Sequence, residues 1–493
     1  MSPKSKKAAD SADVKLSRGE IFAFSVGDFF GGGAQSLVST VYLVFLVLNG
    51  LTASAAGTII MLAKIWDAVT DPLMGIISDN TRTKWGRRRP YLFAGGILLI
   101  FSFAFLFLPL HAMGSYALKY TVYLSAYLIY NTVSTMIMVP YSSFATELTS
   151  NYYEKNRMNT VRLIFSMLSG AVSAGVPIIL LEKLNKGQMP IPLFSLIMIL
   201  GFGFFYSVPL IITAVFCKER LPIPEEKLKF SLAAFLKPLK LRAFVYLLLM
   251  YLFAFSCMDI ISTNIVWFVN YALGVTQYSA FILLVLIMVS YAAMIPAHNA
   301  LMKRNWAKPL LFRMGIPLYM AGVIVLSLYP ANFNDYLILP ICILIGIGLS
   351  GCQLMPWFIF PDVVDLGELK FGERNTGSFS GLMTFTRKTT VAVAIGLSGF
   401  ILDLSGFVKP TTDLVTGLVT SYEQPYSAII GLRAVIAVPV VIFLLFAFIA
   451  AKKLKLNPQR SLLIGKMLGD RDYAEKMTEE EKTEFESIKK ELF

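Results

Sequence analysis

KIWDAVTDPLMGIISDNTRTKWGRRRPY, residues 64–91, starts inside an apolar run and ends in a cluster of arginines. The run reads as a membrane-crossing helix, yet it carries Lys64, Asp67 and Asp71. An unpaired charge at the bilayer midplane costs a few kcal/mol or more, so such residues face polar cavities and serve function. Asp67 and Asp71 are four apart and stack on one helix face, with Lys64 nearly in line. A Lys64–Asp67 pair that only fixes helix packing would leave Asp71 over. Two carboxylates on one face suit a small hard cation, and neighbouring hydroxyls such as Thr70 and Thr135 can complete its shell. Close carboxylates can also share a proton, because each raises the other's pKa.

The rest of the chain supports a bilayer setting. Of 493 residues, 56% are hydrophobic and 15% charged, too little polar surface for a soluble domain of this size. Apolar runs fall at 20–48, 55–78, 90–110, 118–142, 160–182, 192–216, 242–270, 276–297, 308–329, 335–360, 378–403 and 426–451. Each approaches the roughly 20 residues that a spanning helix needs. Backbone groups must be satisfied inside lipid, which predicts helices. The fold class is therefore all-α, a polytopic membrane protein with twelve transmembrane helices. A charged, Pro-containing loop divides them into two sets of six. The expected segments are a tail 1–19, a six-helix bundle 20–216, a linker 217–241, a second bundle 242–451 and a tail 452–493. Such a design fits a rocking transporter with its site near the midplane.

The net charge of +13 does not indicate nucleic acid. Lys and Arg crowd alternate loops, at 82–89, 217–242, 302–308 and 452–460, while the opposite loops hold few. That bias places both termini in the cytoplasm of a cell-membrane protein. The polar start has no cleavable apolar core, so no signal peptide is expected. Cys217, Cys257, Cys342 and Cys352 form no pair motif and His111 and His298 stand far apart, so neither a disulfide framework nor a metal site is expected. In the last tail, Thr478 and Glu481 make a capping box and Phe485, Ile488 and Leu492 share a face. A solvated terminal helix is the reading adopted, with a docking helix as the alternative.

Four segments carry a resemblance. KIWDAVTDPLMGIISDNTRTKWGRRRPY, VGDFFGGG, VPYSSFATELTSNYYEKNRMNTVRL and DVVDLGELKFGERNTG resemble the first, second, fourth, fifth and tenth helices and adjoining loops of the glycoside–pentoside–hexuronide:cation symporters. The fold that this implies is that of the major facilitator superfamily. The resemblance implies cation-binding roles for Asp67, Thr70, Asp71 and Thr135, and sugar-binding roles for Asp28, Arg162 and Lys388. A carboxylate accepts two sugar hydroxyls and a guanidinium donates several hydrogen bonds, which gives those assignments a chemical basis. Lys388 brings positive charge among carboxylates, easing their burial.

Polar and aromatic residues inside the spans, among them Tyr130, Asn131, Asp259, Asn264, Trp267, Gln353 and Trp357, can supply further substrate contacts. Asn131, Trp267, Gln353 and Trp357 join the expected substrate set. Lys64, Asp79 and Arg87, Arg88 and Arg89 are expected to control conformation, the arginines pairing with acids such as Asp362, Asp365 or Glu368. Melibiose-transporting members of the family carry an Asp and a Trp where this chain has Met138 and Ser142, and a Lys where it has Gly27. A different glycoside is therefore expected, such as a pentoside or a short oligosaccharide. A uronide would set its carboxylate against Asp28.

The expectation is a monomeric symporter for a glycoside and a monovalent cation, Na+ or H+, with no cofactor and no enzymatic activity. Its rivals are a lysolipid or other amphiphile transporter of related fold and a multidrug antiporter. For an enzyme, the sequence offers no nucleophile–base pair and no metal-ligand set.

Overall fold

The computed structural model describes residues 16–149, 152–220, 232–275, 280–331, 333–373, 376–420, 423–469 and 477–493. Most of the expected first tail, residues 221–231 of the expected linker and residues 470–476 of the last tail lie outside the described residues.

Apolar sequence dictates helix along nearly the whole chain. The long helices are α1 Arg18–Leu48, α2 Ala53–Asn80, α3 Arg89–Leu106, α4 Tyr116–Glu147, α5 Tyr152–Asn185 and α6 Ile191–Phe216. They continue with α7 Arg242–Leu273, α8 Ala280–Lys303, α9 Lys308–Leu328, α10 Asp335–Phe371, α11 Thr376–Leu404 and α12 Tyr426–Lys453. Among the described residues, eleven helices are long and apolar enough to cross a membrane. The one that falls short of the expected twelve is α2. It has 28 residues, ample for a crossing, but Lys64, Asp67, Asp71 and Asp79 lie within it. These charges lower its apolar content.

The helix starts follow capping chemistry. The Ser17 hydroxyl accepts from Glu20 N while the Glu20 carboxylate accepts from Ser17 N. The Thr52 hydroxyl accepts from Ala55 N at the start of α2. Pro90 stands in the first turn of α3, where its missing N–H costs nothing. The all-α expectation has one small exception, a hairpin that pairs β1 Thr411–Thr412 with β2 Val419–Thr420.

The chain forms two compact units. One takes the chain through Phe230 together with Ile395–Gln424. The other takes Ser231–Ala394 and Pro425–Phe493. The end of α11 and the hairpin thus belong with α1 to α6. The Asp403 carboxylate accepts from Ala53 N (3.1 Å) and Ser54 N (2.9 Å), capping α2. The Thr412 hydroxyl and the Lys409 ammonium donate to the carbonyls of Leu48 and Gly50.

The core of the first unit is aromatic. Tyr42, Phe45, Phe103, Phe107, Tyr123 and Tyr127 are buried and pack mostly edge to face, with Tyr42 and Phe45 stacked. Their hydroxyls are satisfied where the structure shows a partner, as when Tyr123 donates to the Leu108 carbonyl at 2.8 Å. This cluster packs α4 against α1 and the end of α3.

The second unit ends differently from the solvated helix expected. α13 Pro458–Gly469 leads to α14 Glu479–Leu492, whose capping box at Thr478 and Glu481 forms as read. But Ile488 and Leu492 are fully buried. Arg460 bonds Glu484 (2.5 Å) and Glu491 (2.8 Å), and Lys455 bonds Glu491 at 2.6 Å. Arg242 donates to the Lys490 carbonyl and Lys370 to the terminal Phe493 oxygen. An amphipathic face with basic partners upstream docks rather than staying in water.

Candidate functional site: an oxygen cluster between α2 and α4

Three contacts fasten α2 to α4. The Asn131 amide donates to the Ala63 carbonyl at 2.7 Å. The Trp66 indole donates to the Thr132 hydroxyl at 3.0 Å. One turn further along α4, the Thr135 hydroxyl lies 2.8 Å from Asp67 Oδ1 and 3.0 Å from Asp71 Oδ1. The i, i+4 spacing puts both acids on one face, as expected, and the crossing helix places Thr135 between them.

That geometry has a chemical consequence. A threonine hydroxyl has one proton to donate. It can satisfy one carboxylate, not two at once. Thr135 thus gathers oxygens of both carboxylates around its own, an arrangement of hard oxygen donors that a small cation can bind. Thr135 is 3% exposed, while Asp67 and Asp71 are half-buried, so the cluster has a sealed back and an open front. Asp67, Lys64, Asn131, Tyr127 and Tyr130 line one small crevice with Gln35 and Ser39. Lys64 is buried there. Thr70 lies beside the acids, with its hydroxyl donating to the Asp67 carbonyl at 3.2 Å.

Asp28 sits on α1, two residues before a π-helical stretch, Phe30–Ala34. Here the glycines have a reason. A Cβ on Gly32 would lie 2.4 Å from the Ser166 carbonyl oxygen, and one on Gly33 would lie 2.3 Å from the Ser169 and Ser173 hydroxyls. Only glycine lets α1 approach α5 this closely. The approach brings Arg162 Nε to 3.8 Å from Asp28 Oδ2, too long for a hydrogen bond but near enough for charge attraction. Arg162 Nε is buried without an acceptor. The Ser166 hydroxyl, which the sequence reading missed, also bonds Asp28. Met138 packs by Gly31 next to Asp28, and Ser142 turns its hydroxyl to the Val139 carbonyl.

The other expected substrate residues belong to the second unit. Trp267 is 1% exposed and buried in the core, whereas Trp357 is 50% exposed. Gln353 and Lys388 are half-buried. Beside Lys388, Arg387 forms an ion pair with Asp259 at 2.8 Å. The sequence reading passed over Arg387, although an arginine inside the 378–403 run is itself a signal.

Asp79, Arg87, Arg88, Arg89 and Asp362, among the residues expected to control conformation, each have a partner within their own unit. Arg88 pairs with Asp79 and donates to the Ser78 hydroxyl. The backbone N–H groups of Arg87, Arg88 and Arg89 donate to the Glu219 carboxylate, at 2.8, 2.7 and 3.3 Å. Gly86, with φ +106°, turns the chain into that cradle. The Arg89 guanidinium donates to the Ala214 and Val215 carbonyls at the end of α6, where a helix C-terminus favours a cation. Asp362 takes Lys308 at 2.7 Å and Ser461 at 3.2 Å. Asp365 and Glu368 follow half-buried on α10. Glu219 was not foreseen; one acid among the mixed charges of that loop gave little to read.

Residues 23–457 match the family model described as MFS/sugar transport protein. The chain belongs to that family. It is a multi-pass membrane symporter and not an enzyme. Curated relatives span most of its length. A glucuronide carrier protein homolog of Escherichia coli is 26% identical over 88% of this chain and 92% of its own. An isoprimeverose transporter of Lactiplantibacillus pentosus is 26% identical, covering 79% and 81%. The sodium-dependent lysophosphatidylcholine symporter 1 of Gallus gallus is 24% identical, covering 71% and 72%. Among solved structures, a bacterial homologue of the human drug peptide transporters PepT1 and PepT2 superposes with a TM-score of 0.59. It is 12% identical and covers 88% of this chain and 98% of its own. That likeness carries the fold, that of the major facilitator transporters.

Proposed function

We propose that the protein imports a glycoside together with a monovalent cation, sodium or a proton, across the cell membrane by alternating access. The observation that carries this reading is the convergence of Asp67, Asp71 and Thr135 oxygens, with Thr135 at 2.8 and 3.0 Å from the two acids, a set of hard oxygen donors within one span. A cation held there neutralises two carboxylates inside a span, and Thr70 offers a further oxygen. Asp28 and Arg162 accept and donate to sugar hydroxyls from neighbouring helices. Their 3.8 Å separation leaves each with unused hydrogen-bonding capacity. Coupling is then a reciprocal free energy between the cation and sugar sites of one unit. Asp79, Arg87, Arg88, Arg89, Asp362, Asp365 and Glu368 serve conformational control, and the loop charge bias puts both termini in the cytoplasm.

The relatives named for isoprimeverose and glucuronide support a glycoside. The test is substrate-induced cation flux in proteoliposomes, run over pentosides, glucosides, glucuronides and lysophosphatidylcholine, with and without sodium. Flux with a glycoside, lost in Asp67→Cys and Asp71→Cys, is the expected result. Flux with lysophosphatidylcholine alone would transfer the protein to the activity for which its Gallus gallus relative is named.

A further inference from the structure

Asp259 lies in the middle of α7 and Arg387 in the middle of α11. An ion pair inside a span is costly to keep. One that serves only to join helices is best sealed and fully hydrogen-bonded. This pair is neither. Its side chains are 29% and 31% exposed, and Arg387 Nε has no acceptor. The Tyr251 hydroxyl bonds the same guanidinium. The guanidinium carbon lies 5.2 Å from the centre of the Phe255 ring. Tyr251 and Trp357 meet edge to face at 5.4 Å, which leaves half of Trp357 open.

We propose that Asp259, Arg387, Tyr251 and Trp357 form a carbohydrate-binding site on the second unit, specific for an uncharged glycoside; this rests on the glycoside reading above. The chemistry is that of sugar recognition. Asp259 accepts from hydroxyls, and Arg387 and Tyr251 donate to them. The open Trp357 ring packs against the apolar face of a pyranose. The pair has no net charge, so a neutral sugar joins it without separating the ions. A carboxylate-bearing sugar brings a second anion beside Asp259 to share one guanidinium, which adds net negative charge within the span. The pair therefore selects against uronides, which the charge of Asp28 alone could not establish.

The test uses the full-length protein in lipid nanodiscs and calorimetric titration with methyl xyloside, methyl glucoside, a xylosyl-glucose disaccharide and methyl glucuronide. The variants are Asp259→Asn, Arg387→Gln, Arg387→Lys and Trp357→Leu. The expected result is that the wild type binds a neutral glycoside more tightly than methyl glucuronide. Asp259→Asn, Arg387→Gln and Trp357→Leu should weaken the neutral glycoside at least tenfold, with Arg387→Lys between them and the wild type. The sodium- or proton-induced thermal shift should stay as in the wild type, since that site lies in the first unit; a variant that had lost its fold would lose this shift too. Trp357→Leu, half-exposed, gives the readout least open to misfolding. Wild-type affinity in Trp357→Leu and in whichever of the others keeps the cation shift overturns the site and leaves a structural ion pair. Preference of the wild type for methyl glucuronide overturns the selectivity. Failure of the wild type to bind any of the four overturns the glycoside reading itself, and this site with it.

Discussion

Replacing Thr135 by Val tests the cation cluster with the smallest change of shape. Valine keeps the branched outline and fills the same sealed position behind the acids, but it offers no oxygen. Without a cation, the half-buried carboxylates can recruit water in place of the lost hydroxyl. With a cation bound, the sealed side must supply an oxygen, and valine cannot. A hydrogen bond to a charged group is worth about 1.5–3 kcal/mol, and we take the lost ligand to be comparable. At about 1.4 kcal/mol per tenfold, cation affinity should fall roughly tenfold to a hundredfold. Thr135→Ser restores the oxygen and should stay within about threefold of wild type, a difference of under about 1 kcal/mol. The assay is calorimetric titration of purified protein with sodium at constant ionic strength, with a parallel proton titration. Unchanged affinity in Thr135→Val, or equal losses in Val and Ser, would refute the assignment of the hydroxyl as a ligand.

Three further outcomes follow from the packing. Gly32→Ala sets a Cβ 2.4 Å from the Ser166 carbonyl oxygen; it should destabilise by about 1–3 kcal/mol and lower sugar affinity, read by thermal unfolding and glycoside titration. Asp403→Ala removes the acceptor for two N–H groups at the start of α2 and should cost about 0.5–2 kcal/mol, seen as a lower unfolding midpoint. The Glu491 carboxyl is held below its ordinary value by hydrogen bonds from Lys455 and Arg460. A depressed carboxyl pKa stabilises the docked α14 above the unfolded value near 4.5 and loses that support as pH falls through the folded value. Hydrogen exchange of residues 479–492 should therefore rise on acidification below that point, and an α14 protected equally at all pH values would refute the link.

The sequence by itself determined the helices, because apolar length and the need to satisfy backbone groups in lipid leave no other element. It also determined that α2 is special, since Asp67 and Asp71 share a face in any helix. The capping box of α14 was likewise legible in Thr478 and Glu481, being a contact over three residues. What it could not determine were pairings between helices. Thr135 reaches both acids from 64 and 68 residues away, and only the crossing of α4 over α2 sets that distance. Arg387, not the neighbouring Lys388, bonds Asp259 because the rotation of α11 turns it toward α7, and no local periodicity encodes that angle. Glu219 reaches a backbone cradle that Gly86 shapes, and Gly32 admits α5 to within contact of α1. The end of α11 joins the first unit through Asp403, and α14 docks because Arg460 and Lys455 meet its acids. Local chemistry fixes which segments become helices and which faces carry charge. Side chains far apart in sequence meet only after small residues have let those helices pack closely, and that packing is a property of the folded chain.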